Sequence, residues 1–456
     1  MPESRPLHVV ILAAGQGKRM ASDTPKVLHP IAGRPMLQHV LDAATALEPA
    51  QVHVVHGHGG AVVRDALPDA AVSWVEQREQ LGTGHAVSQA LPDIPDSAAV
   101  LVLYADVPLV PSASLAPLVT AAAQGPAILT VELANPTGYG RIVRNDAGAV
   151  VRIVEEKDAT AAERAITETN TGLMAAPAGR LRDWLARCDN SNAQGEYYLT
   201  DIIAHAGDDA VATTATRAAD ADEVAGVNDR VQLQAVERAY QYRQALACMR
   251  AGLGLADAQR FDLRGELTFG RDCELDVGVV LEGRVTLGHG VQVGPYVHIR
   301  DSVIEDGATV ASHTTIDGAR LGVGAEAGPF ARLRPGTELG AGARAGNFVE
   351  VKKAVIGRGS KVNHLSYIGD ATLGREVNVG AGTITCNYDG VGKHETVIGD
   401  RVFIGSDTQL VAPVRVGDDA VLGAGTTLTR DAEAESLTVT RAQARTIPGW
   451  ARRRRG

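Results

Sequence analysis

The chain has 456 residues, a formal net charge of −10 and 45% apolar residues. That length allows two or three domains, each able to bury its own core. The negative balance gives no general reason to expect nucleic acid or an anionic membrane as a partner. Four cysteines, Cys188, Cys248, Cys273 and Cys386, are too few and too scattered for a disulfide framework. None forms a Cys-x-x-Cys pair, so a reducing compartment is expected. No stretch approaches the ~20 apolar residues of a membrane span, and the N-terminus lacks the features of a signal peptide. A soluble, cytoplasmic protein without membrane insertion is expected. Four consecutive arginines near the C-terminus read as a solvated tail or as an attractor for a polyphosphate ligand.

The first half alternates short buried-strand runs with helix-compatible segments rich in Ala and Leu. Val9 to Leu12, Val52 to Val55 and Val100 to Tyr104 are the strand runs. This alternation predicts an α/β domain with a largely parallel, Rossmann-like sheet. Ligands of such sheets sit beyond the carboxyl ends of the strands. Gly15-Gln16-Gly17 and Tyr104-Ala105-Asp106 both follow strands, and so mark where chemistry is expected. The glycines let backbone N–H groups approach phosphate, and Arg19 and Lys26 supply positive charge. The turn is not a Walker P-loop, because the GK[ST] ending is missing.

Residues 229–251 contain few helix breakers and predict one long connecting helix. Beyond Phe261 an aliphatic residue recurs about every six positions, usually before a small or acidic residue. Leu287-Gly288, Val293-Gly294, Leu321-Gly322, Ile356-Gly357, Ile368-Gly369, Ile404-Gly405 and Leu422-Gly423 are examples. Such a hexapeptide repeat predicts a parallel β-helix with the aliphatics inside. Residues 385–397 break the repeat and predict a projecting loop. Within the repeats, Arg334, Glu350, Lys352, His364, Tyr367, Asn378, Asn387, Tyr388, Ser406 and Arg441 are not needed for packing a solenoid. A histidine is a suitable general base near neutral pH.

The ordered series from Leu12 to Lys26 through Gln77, Gln80 to His85, Tyr104 to Asp106, Gly138 to Arg141, Glu155, Asn170 to Gly172 and Gly226 to Asn228 resembles the sugar-phosphate nucleotidylyltransferases. With the C-terminal half included, the chain resembles, over nearly its whole length, the bifunctional N-acetylglucosamine-1-phosphate uridyltransferase/glucosamine-1-phosphate acetyltransferases. The resemblance implies a nucleotidyltransferase domain (1–228), a linker helix (229–251) and a left-handed parallel β-helix with acetyltransferase activity (252–456). It implies acetyl transfer from acetyl-CoA to glucosamine 1-phosphate, then coupling to UTP, giving UDP-N-acetylglucosamine for cell-envelope precursors. By the same resemblance Leu12, Ala13, Ala14, Gly15, Lys26, Gln77, Gly82, Thr83, Tyr104 and Ala105 bind the nucleotide, and Gly140, Glu155 and Asn170 bind the sugar. Asp106 and Asn228 would ligate Mg²⁺. His364 would be the acetyl-transfer base, oriented by Glu350, with Arg334, Lys352, Tyr367 and Asn378 on the amino-sugar phosphate. Ala381, Asn387, Tyr388, Ser406, Ala424 and Arg441 would line the acetyl-CoA cleft, shared between subunits of a homotrimer. Three positions depart from the family pattern: Lys18 after the Gly-x-Gly turn, Ala105 where Gly is usual before the aspartate, and Asn363 before the histidine. Two rivals remain at this point: another nucleotidyltransferase, such as a glucose-1-phosphate adenylyltransferase with an architectural β-helix, and a non-enzymatic trimeric scaffold.

Overall fold

The computed structural model describes residues 5–450 except Gln16 and His58, and describes only the backbone of Lys18. Gln16 of the glycine turn, a Lys18 phosphate contact and the C-terminal arginine run therefore lie outside the described residues. The chain divides into two compact units, Met1–Tyr240 and Gln241–Gly456.

In the first unit the strand Leu7–Leu12 is buried at every position, as expected for a strand with parallel neighbours on both edges. It pairs in parallel with Gln51–His56 and with Ala99–Tyr104, and Ser73–Glu76 extends the sheet on one side. On the other side Glu168–Pro177 runs antiparallel between Ala99–Tyr104 and Ala127–Glu132. Side chains alternate between faces. Val9 and Ile11 enter one apolar cluster, Val10 and Leu12 the other, so helices are needed on both sides. Leu12 and Tyr104 are paired at the carboxyl end of the sheet, which brings the two turns that follow them side by side.

The long helix forms over Arg230–Arg250, within a residue of the expected limits. Its first half is fixed to the N-terminal unit. Glu237 Oε2 accepts from the Ala32 amide at 2.7 Å, and Arg230 Nε donates to the Met20 carbonyl at 3.2 Å. Val236 joins Met20, Ile31, Met36, Leu109 and Val227 in a small buried cluster. Beyond residue 240 the allegiance changes. The Gln241 amide bonds both backbone groups of Leu263, at 3.1 and 2.8 Å, and Ala245 is buried with the aliphatics of the repeats.

The second unit is a parallel β-helix. Most paired residues lie 17 or 18 positions apart, as in Thr309 with Glu326 and Glu326 with Arg344. The repeat thereby stacks like on like. Val293, Val310, Ala327, Ala345, Val362, Val379, Ile404 and Leu422 form one continuous buried column. Burial of each larger aliphatic contributes about 1.5–3 kcal/mol, which a single coil alone could not obtain. The glycine after the aliphatic is a matter of clearance. A side chain on Gly357 would begin 2.2 Å from the Gly374 carbonyl oxygen of the next coil. One coil is longer: 25 residues separate the paired Asn378 and Phe403. The extra length is the projecting loop expected from the break in the repeat.

Candidate active sites

The N-terminal cleft has a volume of about 260 Å³ and lies where the two strand-end turns meet. Leu12, Ala13, Ala14, Gly15, Lys26, Gln77, Gly82, Thr83, Tyr104 and Asp106, all expected to contact nucleotide or metal, line it. At its centre Lys26 Nζ donates to Asp106 Oδ2 at 2.5 Å and to Asn228 Oδ1 at 3.3 Å. Three residues spread over some two hundred positions thus converge on one point. Two oxygens aimed at one ammonium make a cation position built from hard donors. Among the described residues no group of three or more His, Cys, Asp or Glu is placed to hold a metal. A divalent ion at Asp106 and Asn228 would therefore draw its other ligands from water and phosphate, the usual habit of Mg²⁺.

Gly82 shows why the Gln80-to-His85 motif has its form. Its φ is +109°, and a side chain there would begin 2.6 Å from the Tyr197 carbonyl oxygen. The close approach is secured by backbone bonds from Gly84 to Tyr197 and from Tyr197 to Leu81, each 2.8 Å. Thr83 Oγ1 accepts from the Leu199 amide at 3.1 Å. Gln77 is buried and donates to the Gly82 carbonyl at 3.1 Å. The Gln80 amide donates to the Ala14 carbonyl at 2.7 Å, tying the motif to the glycine turn. Glu196 also lines the cleft, and no sequence signal pointed to it.

Gly140, Glu155 and Asn170 stand together beside this cleft without lining it. The Asn170 amide donates to the Gly140 carbonyl at 2.9 Å, and the Glu155 carboxylate faces the bare Cα of Gly140. Burial pushes the Glu155 carboxyl above its ordinary range, against the opposing effect of the Thr200 hydroxyl. Burial likewise pushes the Tyr104 phenol up, aided by the nearby Glu155 and Asp106 charges. Ala105 differs from the expectation of a ligand-facing position. Its side chain is wholly buried in the core, so the extra methyl does not crowd the cleft. Arg19 is exposed and is not among the lining residues.

In the β-helix the register explains much of the second set. Asn347 pairs directly with His364. Extending the Val362–Val379, Val379–Ile404 and Ile404–Leu422 pairings by two residues places Ala381, Ser406 and Ala424 on the same corner in successive coils. Asn347, His364, Ala381, Ser406 and Ala424 therefore form one column, and Arg441 Nη1 caps it by donating to the Ala424 carbonyl at 3.2 Å. Asn378 follows one coil on, over Lys361. Arg334 and Lys352 are neighbours in a second column, one residue beyond the paired Leu333 and Val351. Lys352 Nζ lies 3.5 Å from Asp370 Oδ2, which also accepts from Asn387 Nδ2 at 2.5 Å.

One expectation is corrected. Glu350 does not orient His364; it is engaged by Arg334 Nη1 at 2.9 Å. Glu350 lies under Tyr367, past the corner, whereas Asn347 lies under the histidine and places Oδ1 2.7 Å from its Nδ1. Lys393 is a further residue that sequence reasoning missed. The neighbouring Lys352 pulls its ammonium below the usual lysine range. Asn363 is half-buried, its backbone packed close over Gly346.

Two family models match separate stretches of the chain. Residues 9–175 match the MobA-like NTP transferase domain, and residues 395–430 match the bacterial transferase hexapeptide family, whose left-handed parallel β-helix the second unit forms. The chain is 61% identical to the "Bifunctional protein GlmU" of Alkalilimnicola ehrlichii, covering 98% of this chain and 96% of that protein. The proteins of the same description from Marinobacter nauticus and Cupriavidus pinatubonensis are 57% and 56% identical, covering 98% of this chain and 99% and 98% of theirs. With over half its residues shared along nearly the full length of these relatives, the chain belongs to the bifunctional GlmU family.

Proposed function

We propose that the β-helix transfers an acetyl group from acetyl-CoA to glucosamine 1-phosphate, and that the N-terminal unit then couples the product to UTP, giving UDP-N-acetylglucosamine and pyrophosphate. The observation that carries this is the convergence of two unlike residue sets, each within its own unit. Lys26, Asp106 and Asn228 meet in one cleft, and His364 heads a column of small and polar residues in the other. A regulatory β-helix would need neither His364 nor Lys352, and a scaffold would need neither set. The test is a product assay with glucosamine 1-phosphate, acetyl-CoA, UTP and Mg²⁺. UDP-N-acetylglucosamine is expected, and its loss when any one component is omitted. Coupling with ATP in place of UTP would favour the adenylyltransferase alternative.

For uridylyl transfer, Asp106 and Asn228 would hold Mg²⁺, which supplies charge neutralisation on the nucleotide phosphates. Lys26 is freed from Asp106 to pair with phosphate oxygens, while Gly15 and Gly82 leave room for backbone approach. Glu155, Asn170 and Gly140 orient the sugar so that its phosphate oxygen faces the α-phosphorus of UTP. The residues align reactants rather than form a covalent intermediate.

The division of the long helix predicts where the chain can be cut. A chain ending at residue 250 keeps Arg230 and Glu237 on the 20–32 segment, and should retain uridylyl transfer. A chain ending at residue 229 loses both, along with Gln232, whose Oε1 accepts from the Asn228 amide at 2.7 Å. Its UTP-dependent pyrophosphate release should fall by at least about tenfold, since misplacing a ligand-bearing loop is costly. Equal activity of the two truncated chains would show that the helix is a mere spacer.

The assembly is read as a homotrimer packed through the β-helix. Beside the His364 column runs a ladder of Tyr296, His313, Phe330, Phe348 and Leu365, with successive ring centroids 5.3, 4.8 and 5.3 Å apart. Phe330 and Phe348 are 48% and 55% exposed, so the ladder leaves contiguous apolar surface open to a partner subunit. Light scattering should give the trimer mass at micromolar concentration, and Phe348→Glu should shift it toward monomer. An active parent monomer would contradict the assembly.

A further inference from the structure

The projecting loop of the long coil has a built interior. Its two arms meet as a hairpin, with Tyr388 bridged to Lys393 and the His394 amide donating to the Asn387 carbonyl at 2.9 Å. At the tip, Asp389 Oδ1 accepts from the Val391 and Gly392 amides at 2.8 and 2.7 Å. Its other oxygen, Oδ2, lies 2.6 Å from His394 Nε2. The Gly392 amide, the His394 ring and the Val391 amide together hold the Asp389 carboxyl well below the usual carboxylate range. Apolar packing does not shape this loop, since Val391 is 95% and Tyr388 60% exposed. Beyond the hairpin, Glu395 bonds the Thr372 hydroxyl at 3.1 Å and returns the chain to the coil. Asp389 and His394 therefore close the tip and the base of the hairpin through one carboxylate.

This matters because of what the hairpin carries. Asn387 reaches Asp370, Lys393 lines a cavity together with Asp370, and Tyr388 stands exposed. We propose that His394 is a positioning residue for acetyl transfer, whose ring, held on Asp389, fixes the hairpin that places Asn387, Tyr388 and Lys393. The inference rests on the acetyltransferase reading of the β-helix given above. His394 touches none of the reacting groups; it acts through Asp389 and the hairpin backbone. Loss of the ring contact loosens the hairpin without touching the His364 column, so substrate affinity changes and the chemical step does not.

The test uses the full chain and follows CoA release with glucosamine 1-phosphate. In His394→Phe, KM for acetyl-CoA should rise about fivefold, as befits an exposed but multiply bonded contact, with kcat within about twofold of the parent. His394→Gln places an amide N–H near the position of Nε2 and should restore KM. Asp389→Ala should raise KM by itself, and adding His394→Phe to it should bring no further rise. Pyrophosphate release should be unaffected in all of them. Parental KM in His394→Phe, failure of His394→Gln to restore it, or multiplying losses in the double variant would each overturn the proposal. A parent that releases no CoA would instead overturn the acetyltransferase reading, so the two failures are distinguishable.

Discussion

Asp106→Asn should abolish most uridylyl transfer while leaving acetyl transfer intact. The substitution keeps the side chain's shape and one oxygen, so the turn after Tyr104 should hold its form. What it removes is the negative charge that now faces Lys26 at 2.5 Å and would face a divalent ion in the working site. Asn228 alone, a neutral amide oxygen, is a poor hold on Mg²⁺. Charge stabilisation by a bound metal is worth several kcal/mol in phosphoryl chemistry, so the expected loss is about 10³-fold. The residues proposed for acetyl transfer belong to the Gln241–Gly456 unit, whereas Asp106 belongs to Met1–Tyr240. The measurement is pyrophosphate release and CoA release from one preparation, with Mg²⁺ varied. A partial rescue by high Mg²⁺ would agree with a weakened metal hold. Equal loss of both activities in folded protein would contradict separate sites.

The β-helix was legible from sequence because its signal is periodic, and one aliphatic every six residues admits few other solutions. The cleft was legible at its strand ends, where Leu12 and Tyr104 hand the chain to Gly15 and Asp106. Resemblance supplied Asn228, which no local pattern marks as a ligand. The register errors have a different origin. The resemblance supplied Glu350, and Asn347 escaped notice because a residue's partner in a solenoid depends on coil length, counted around a corner. Seventeen residues separate Asn347 from His364, whereas Glu350 is spent on Arg334. Glu196 and the Tyr197 backbone were invisible for a similar reason. They reach Gly82 and Gly84 only because the chain folds back after more than a hundred residues, and backbone partners leave no trace in side-chain identity. The connecting helix looked uniform from its composition. Its division at residue 240 depends on which face each end buries.

His364→Ala should lower acetyl transfer by about 10²–10⁴-fold, the usual cost of losing a positioned general base. The amine of glucosamine 1-phosphate is largely protonated near neutral pH and cannot attack a thioester in that form. One proton must first leave the ammonium for solvent to expose the lone pair. As the nitrogen then bonds to the acetyl carbonyl carbon, the carbon–sulfur bond breaks, CoA leaves as thiolate, and a second proton must pass from the nitrogen to a base. The aliphatic interior of the β-helix offers no acceptor. His364 does, and its setting says which nitrogen. Asn347 places its amide oxygen 2.7 Å from Nδ1, so Nδ1 carries the hydrogen and Nε2 keeps its lone pair for the amine. The ring is exposed in the isolated chain, ready to meet a substrate laid along the Ala381, Ser406 and Ala424 column. Removing the ring leaves that column and the hairpin untouched, so acetyl-CoA binding should stay near the parent's. Pyrophosphate release should also be unchanged. Asn347→Ala should reproduce a smaller part of the loss through kcat, because the ring remains but is free to turn. A His364→Ala chain that releases CoA at the parent rate would make the histidine a surface feature of the repeat. The base would then have to be sought among the other titratable groups that border the column, with Glu350, already engaged by Arg334, the first to substitute.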